Sequence, residues 1–398
     1  MNLKPGHIFD VVVIGAGAAG LMCAAEAGKR GRSVLVLEKA EKVGKKILIS
    51  GGGRCNFTNL FAAPDRYVSE NRHFCKSAFR QYTQHDFIAL VEKYGISYHE
   101  KKLGQLFCDE SASQITDLLQ KECDAAGVRI WLNANVEKVT PVHEDGFNLT
   151  VGEQALECRS LVVATGGLSI PKMGATDFAF RLAEKLNLPL TERKPGLVPF
   201  TFQDAEMDRF SGLSGVSADI EARIGKVAFR ENILFTHKGI SGPAILQISS
   251  FWNEGDKVQL DFLPELDVLE ELKKQRAENP KTKVEKYLSR FLANRLLDKL
   301  LEPLGEIPEF GNCSDKLFRN IHNLLKIIVI KPSGTEGYRK AEVTVGGVCT
   351  SCLQSKTMAV KGRDNLFFIG EAVDVTGFLG GYNFQWAWSS GFVAGRHV

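Results

Sequence analysis

Asp10-Val11-Val12-Val13-Ile14-Gly15-Ala16-Gly17-Ala18-Ala19-Gly20 is the stretch that decides the fold. Residues 10–14 are mostly β-branched and apolar, the composition of a strand buried on both faces of a parallel sheet. Three glycines in Gly15-x-Gly17-x-x-Gly20 follow without a break. Residues 21–30, rich in Ala and Leu, then read as a helix that Gly31 stops. Residues 33–37 form a second buried strand ending at Glu38, 21 residues past Gly17. A strand, glycine turn, helix, strand and acid in this order predict a dinucleotide-binding unit. Gly15 permits the tight turn, Gly17 lets the backbone approach a pyrophosphate, and Gly20 lets helix and strand pack closely. Ala18 and Ala19, inside the glycine turn, are expected among the cofactor-binding residues, and the unpaired N–H groups at the start of the helix that follows favour phosphate. Glu38, with Lys39 beside it, is expected to take the ribose hydroxyls.

The rest of the chain decides which dinucleotide. A later strand ends in Ala164-Thr165-Gly166-Gly167, and another, near the C-terminus, in Phe367-Phe368-Ile369-Gly370-Glu371. Gly380-Gly381-Tyr382-Asn383 then opens a last helix. These elements in this order point to FAD, with Glu371 on the ribityl chain. No second GxGxxG marks a separate nicotinamide domain. The loop 44–59 packs Lys45, Ser50, Gly51, Gly52, Arg54, Cys55, Asn56, Thr58 and Asn59 into one polar, glycine-rich segment suited to holding a cofactor. Val136 and Asp374 complete the expected cofactor set, and no metal site is expected.

Around these motifs, residues 84–94 and 112–126 have helical spacing, the second with Ile115, Leu118, Leu119 and Cys123 on one face. Residues 148–151 and 155–158 read as sheet ribbons. Short alternating segments at 198–202, 218–224, 226–229 and 258–262 have the texture of a small antiparallel barrel or sandwich. Residues 267–304 read as helices, with Val284, Leu288, Phe291, Leu292 and Leu296 as a packing stripe. Strand character returns at 327–330 and 366–369. The expected domains are 1–195 with 343–398, then 196–263 with 326–342, and a helical insert over 264–325.

Composition narrows the class further. Of 398 residues, 44% are hydrophobic and 24% charged, which excludes wholesale disorder, collagen and coiled coil. Fifty Lys+Arg against 47 Asp+Glu leave a net charge of +3, with no nucleic-acid or anionic-membrane footprint. No apolar run approaches the roughly 20 residues of a membrane span. Met1 to Phe9 is short and polar, and a strand-like run follows it at once, so no signal peptide is expected. Nine cysteines, an odd number in a large chain, are no disulfide framework. A cytoplasmic setting is the expectation.

Residues 50–59, Leu234-Phe235-Thr236-His237-Lys238-Gly239-Ile240-Ser241-Gly242-Pro243, Gly334-Thr335-Glu336-Gly337-Tyr338-Arg339, and the stretch 374–388 from Asp374 to Trp388 carry a resemblance. The chain resembles the BaiN/YhiN-like flavoproteins, the aminoacetone oxidase family of FAD-binding enzymes, over nearly its whole length. The resemblance implies an α/β fold: a glutathione-reductase-type FAD-binding, Rossmann-like domain built from both chain ends. It also implies an inserted β-barrel that carries a small helical insert. Two features depart from the family pattern. Lys45 stands where the family commonly has Arg, and a lysine lacks the bidentate fork. Cys349-Thr350-Ser351-Cys352 has no second CxxC or HxxxH partner, so two incidental thiols are expected rather than zinc. Cys55 lacks a nearby partner as well. His7, His73, His85, His99, His143, His322 and His397 have no metal-like spacing.

The expected activity is an FAD-dependent oxidoreductase. NAD(P)H would be its transient reductant and a small organic molecule its oxidant, with reduction of a conjugated C=C bond as one chemistry. His237 or Tyr382 would supply the proton. The helix opening at Gly380-Gly381 would favour negative charge on the reduced ring. Three alternatives are amine oxidation with oxygen, FAD-dependent tRNA modification, and flavin binding without turnover. The charge balance argues for no nucleic acid and no membrane; oligomeric state is open.

Overall fold

The computed structural model describes residues 7–142 and 146–398. The first six residues and His143 lie outside them. The chain divides into two compact units: Met1–Lys194 with Val343–Val398, and Pro195–Glu342.

In the first unit β1 (Ile8–Ile14), α1 (Ala18–Lys29), β2 (Val34–Leu37), β3 (Arg129–Trp131), β4 (Gln154–Val163), β5 (Arg363–Phe368) and α2 (Tyr382–His397) make the core. The five strands lie in the order β3-β2-β1-β4-β5, every pair parallel. This is the doubly wound order of a dinucleotide-binding fold. Val11, Val12 and Val13 are wholly buried, as a strand covered on both faces requires. The early part of β4 also pairs antiparallel with Gly146–Val151, which pairs with Val136–Val142, forming a meander.

Glycines set how closely the helices approach. A Cβ on Gly20 would lie 1.9 Å from the Gly15 carbonyl oxygen, so α1 sits against the turn that precedes it. Gly391 and Gly395 of α2 meet the carbonyls of Ala19 and Cys23 on α1, where a Cβ would fall at 2.5 and 2.6 Å. Leu21 is fully buried in α1, and its truncation to Ala would cost about 2–5 kcal/mol.

The second unit is built on a seven-stranded antiparallel sheet. Its order is Ile328–Ile330, Val258–Asp261, Ser217–Ile224, Val227–Thr236, Gly239–Ser241, Phe200–Thr201, Gly334–Thr335. The two edge strands are only three residues apart in the chain, which coils the sheet round. No ladder joins them among the described residues, so closure into a barrel is not seen. Four helices, Val268–Glu278, Val284–Leu288, Asn294–Leu301 and Asp315–Lys326, lie between Asp261 and Ile328.

Three readings of this unit are corrected. The expected strand at 226–229 runs on to Thr236, because alternating Ile233 and Phe235 continue the buried face. The segment 198–202 keeps only Phe200–Thr201 as strand. The apolar stripe over 284–296 spans two short helices and the break between them, which holds Phe291 and Leu292. The break between Leu288 and Asn294 turns Phe291 outward, 44% exposed, while Val284, Leu288, Leu292 and Leu296 are buried.

Candidate functional site

Strand order reverses between β1 and β4, and the crevice at the carboxyl ends there is where open parallel sheets bind ligands. Gly15 follows β1 and the turn 164–167 follows β4. A Cβ on Gly15, whose φ is +107°, would be 2.6 Å from the Ala164 carbonyl oxygen. Gly17 caps α1 and contributes no side chain there, and nothing lies within 4 Å of where its Cβ would be. No acid occupies the first turn of α1, so its N–H groups and dipole face an open cradle. Ala18 and Ala19 follow, and Ala19 packs under Gly370, where a Cβ would lie 3.0 Å from it.

Glu38 is half-buried at the end of β2. Its two oxygens accept from Ala16 N–H at 2.7 Å and Ala40 N–H at 2.8 Å. It therefore braces the glycine turn from below, and a carboxylate keeps further lone pairs for hydroxyl groups. Lys39 is exposed, and Val136 is buried at the start of the meander.

The loop after β2 hangs on the same turn through Gly44 N–H to the Ala16 carbonyl, 2.9 Å. Lys45 and Lys46 open the short helix Lys45–Ile49 and point apart. Lys45 pairs with Glu41 at 3.3 Å. Lys46, which sequence reasoning passed over, reaches Glu371 Oε2 at 2.7 Å and Ser169 Oγ at 2.6 Å. Glu371 Oε1 accepts from Ser169 Oγ and Thr344 N–H, at 2.8 and 2.9 Å. Burial alone would push the Glu371 carboxyl up; the Lys46 ammonium and these donors outweigh it and hold the group below its ordinary range.

Gly51, Gly52 and Gly53 all take left-handed backbone, with φ of +58°, +68° and +85°. Nothing lies within 4 Å of a Cβ placed at Gly52 or Gly53, so bare backbone faces open space there. Ser50 bonds back to the Ile47 carbonyl, and Arg54 is exposed. Cys55 is fully buried, and burial pushes its thiol far up, which removes it as a thiolate partner at neutral pH.

Asn56, Thr58 and Asn59 of the same loop hold the C-terminal helix turn. Asn59 Nδ2 donates to the Gly380 carbonyl at 2.8 Å, and Thr58 Oγ1 donates to Gln385 at 2.7 Å. The amide orientation of Asn56 that satisfies both its ends has Oδ1 accepting from Gly381 N–H at 3.2 Å. Gly380 and Gly381 have φ of +111° and +95°, and a Cβ on Gly381 would strike the Thr58 carbonyl at 2.4 Å. The start of α2 is thereby clamped, with no acid in its first turn. Asn383 ties to Gly377 in both directions. Tyr382 is buried beside Tyr67 and Phe378, and burial raises its phenol above the ordinary value. Asp374 accepts from Glu70 N–H at 3.0 Å, and burial raises its carboxyl.

Two observations test whether an FAD suits these residues. Thr165 Oγ1 is buried in the turn after β4 without a hydrogen-bond partner, an orphan donor beside Gly15. The backbone at Gly17, Gly52 and Gly53 is bare and open. Orphan hydroxyl, helix N-terminus, glycine cradle and Glu38 fit the phosphates and ribose of a dinucleotide. Gly166, with φ of +72°, and Gly167 carry the chain over Glu371; a Cβ on Gly167 would lie 2.4 Å from Thr344 Oγ1.

His237 lies in the second unit, exposed at the turn between Val227–Thr236 and Gly239–Ser241. Cys349 and Cys352 are half-buried, and burial pushes the Cys352 thiol up to about 11. No group of three or more metal-ligating side chains occurs among the described residues. No described helix is long and apolar enough to cross a membrane.

Comparison with known proteins agrees with this geometry. Residues 9–397 match the family described as "HI0933-like protein Rossmann domain". The chain is 48% identical over 395 residues to the ribosomal RNA dihydrouridine synthase of Escherichia coli strain K12, covering 98% of each. It is 27% identical to a 3-dehydro-bile acid delta(4,6)-reductase of Clostridium scindens, covering 96% of this chain and 97% of that one. Among solved structures it is similar in fold to a 3-ketosteroid-delta4-(5alpha)-dehydrogenase from Rhodococcus jostii, with a TM-score of 0.51, 14% identity, and coverage of 99% and 97%. The chain belongs to the HI0933-like Rossmann family and is an FAD-dependent oxidoreductase.

Proposed function

We propose that this protein saturates the C5=C6 bond of a uridine in ribosomal RNA. The observation that carries the reading is the 48% identity, spread over 98% of both chains, to a ribosomal RNA dihydrouridine synthase. The chemistry agrees with the more distant reductase. Uracil C5=C6 is conjugated with the C4 carbonyl, so both substrates are conjugated alkenes. NAD(P)H is the proposed electron source: uridine, NAD(P)H and a proton give dihydrouridine and NAD(P)⁺. When bound, the flavin supplies the hydride for C6.

The chain's own residues bind, orient and deliver a proton. Gly17, the N-terminus of α1 and Thr165 take the pyrophosphate side, Glu38 the ribose, and Glu371 with Lys46 the middle of the cofactor. His237 is the proposed acid for C5. Tyr382, the other residue considered, is packed among aromatic rings. An RNA substrate departs from the expectation drawn from near-neutral charge. Net charge averages the whole surface and does not report a local footprint. Such a substrate places the protein with ribosomes, in the cytoplasm.

The test is nucleoside mass spectrometry on ribosomal RNA lacking the modification, after incubation with holoprotein and NADH or NADPH. Dihydrouridine at one position supports the reading. Unmodified RNA, from protein that reduces a small conjugated ketone, removes it in favour of the small-molecule reading.

A further inference from the structure

Phe61 and Leu103 are the two most exposed large apolar side chains among the described residues, at 58% and 57%. Scattered exposed hydrophobics are ordinary, but these two flank one braced turn. Strands Tyr98–Glu100 and Gln105–Cys108 form a hairpin whose tip is Lys101-Lys102-Leu103-Gly104. A Cβ on Gly104 would lie 2.7 Å from the Phe61 ring, so the ring rests on the backbone next to Leu103. Leu103 takes φ of +51°, a left-handed conformation that a branched side chain adopts at a cost.

The tip is held from several sides. Glu100 Oε1 accepts from Gly104 N–H at 2.9 Å, and Leu60 N–H donates to the Gly104 carbonyl at 2.9 Å. Asn59 accepts from Phe61 N–H at 2.9 Å and donates to the Leu103 carbonyl at 3.1 Å. The same Asn59 amide donates to the Gly380 carbonyl at 2.8 Å. Gln105, first residue after the tip, lies against Gly380, where a Cβ would be 2.9 Å from its Cγ. The exposed apolar face is thus rigid and fastened to the turn that opens α2. Lys101 and Lys102 are exposed on the same tip, with the Lys101 ammonium 5.4 Å from the Phe107 ring centroid.

Resting on the uridine-reducing reading above, we infer that this tip is a stacking platform for the RNA strand that carries the target uridine. A base beside the target lies on the Phe61 ring, Leu103 closes the edge of that surface, and the two lysines meet phosphates. A flat ring at the margin of the site suits recognition of an unstacked RNA strand, in which bases lie on aromatic side chains. Rigidity lowers the entropy lost on docking.

The experiment measures retention of ribosomal RNA on filters by oxidised holoprotein without reductant, for wild type, Phe61→Ala, Phe61→Leu and Phe61→Tyr. Stacking on one ring predicts a loss of about five- to a hundredfold for Phe61→Ala. Phe61→Leu should lose nearly as much, because it keeps apolar area without a π-face. Phe61→Tyr should bind within about twofold of wild type. Flavin content and flavin reduction by NAD(P)H should be equal in all four. Equal RNA affinity for Phe61→Ala and wild type would overturn the platform, whether or not the protein makes dihydrouridine. Ring-dependent binding without any dihydrouridine would leave the platform standing and remove the proposed reaction.

Discussion

Replacing Lys46 by Met removes one charge and leaves its stem. The ammonium lies 2.7 Å from Glu371 Oε2, and the two side chains are 33% and 20% exposed. Glu371 Oε1 would keep Ser169 and Thr344, while Oε2 would lose the Lys46 cation. Breaking a fully buried pair costs about 3–5 kcal/mol; partial exposure of both groups brings the expectation to roughly 1–3 kcal/mol. For a unit of this size that is a fall in Tm of roughly 2–4 °C per kcal/mol. The charge sign gives a pH signature. In the wild type the Glu371 carboxyl is held low, so its stabilisation is present above the unfolded value of about 4.3. It is lost as pH falls through the lower, folded value. In Lys46→Met, burial without a cation raises the carboxyl, so the variant's deficit is full near neutrality and shrinks toward pH 4. The assay is thermal unfolding of apoprotein at pH 7 and pH 4.5, in a double-mutant cycle with Glu371→Gln. The neutral amide should recover most of the loss caused by Lys46→Met. A deficit independent of pH, or additive changes in the cycle, would refute the argument that the ion pair organises this end of the sheet.

Glu38→Ala should weaken FAD binding about tenfold or more, since a hydrogen bond to a charged group contributes roughly 1.5–3 kcal/mol; an unchanged dissociation constant would show that Glu38 serves only Ala16 and Ala40. Gly20→Ala should abolish soluble, flavin-loaded protein, because its Cβ would stand 1.9 Å from the Gly15 carbonyl oxygen, and normal yield with normal flavin content would contradict the packing described. Cys349→Ser with Cys352→Ser should leave metal content, flavin content and turnover unchanged, as read by elemental analysis and steady-state rates. His237→Ala should slow oxidation of the reduced enzyme by substrate about 10²–10⁴-fold and spare reduction by NAD(P)H. Stopped-flow on each half-reaction reads both, and equal loss in the two would assign His237 a structural part.

What was legible in the sequence is what backbone geometry demands of residue type. Gly15, Gly20, Gly380 and Gly381 sit where a Cβ would strike a carbonyl or side chain, so glycine is written into the chain at those points. The valines of β1 follow from burial on both faces. Pairings between distant positions left no local mark. Lys46 and Glu371 are 325 residues apart, and nothing in the doublet Lys45-Lys46 says which lysine reaches Glu371. That choice comes from the short helix Lys45–Ile49, in which neighbours face different ways. Asn56, Thr58 and Asn59 were expected against the cofactor because they are polar and follow a glycine loop. Their described hydrogen bonds clamp Gln385 and the Gly380-Gly381 turn, a partner invisible until the two chain ends meet. Phe291 fitted a helical stripe by spacing alone, and the break between two helices undid the period.

The measurement nearest the central claim is a single turnover without oxygen. Holoprotein is reduced by one equivalent of NAD(P)H and mixed with ribosomal RNA lacking dihydrouridine. Flavin colour and dihydrouridine are then followed in the same sample. The account predicts that colour returns as dihydrouridine forms, one per flavin, and that RNA already carrying the modification leaves the flavin bleached. Colour that returns only when oxygen is admitted, with no dihydrouridine in the RNA, would contradict it.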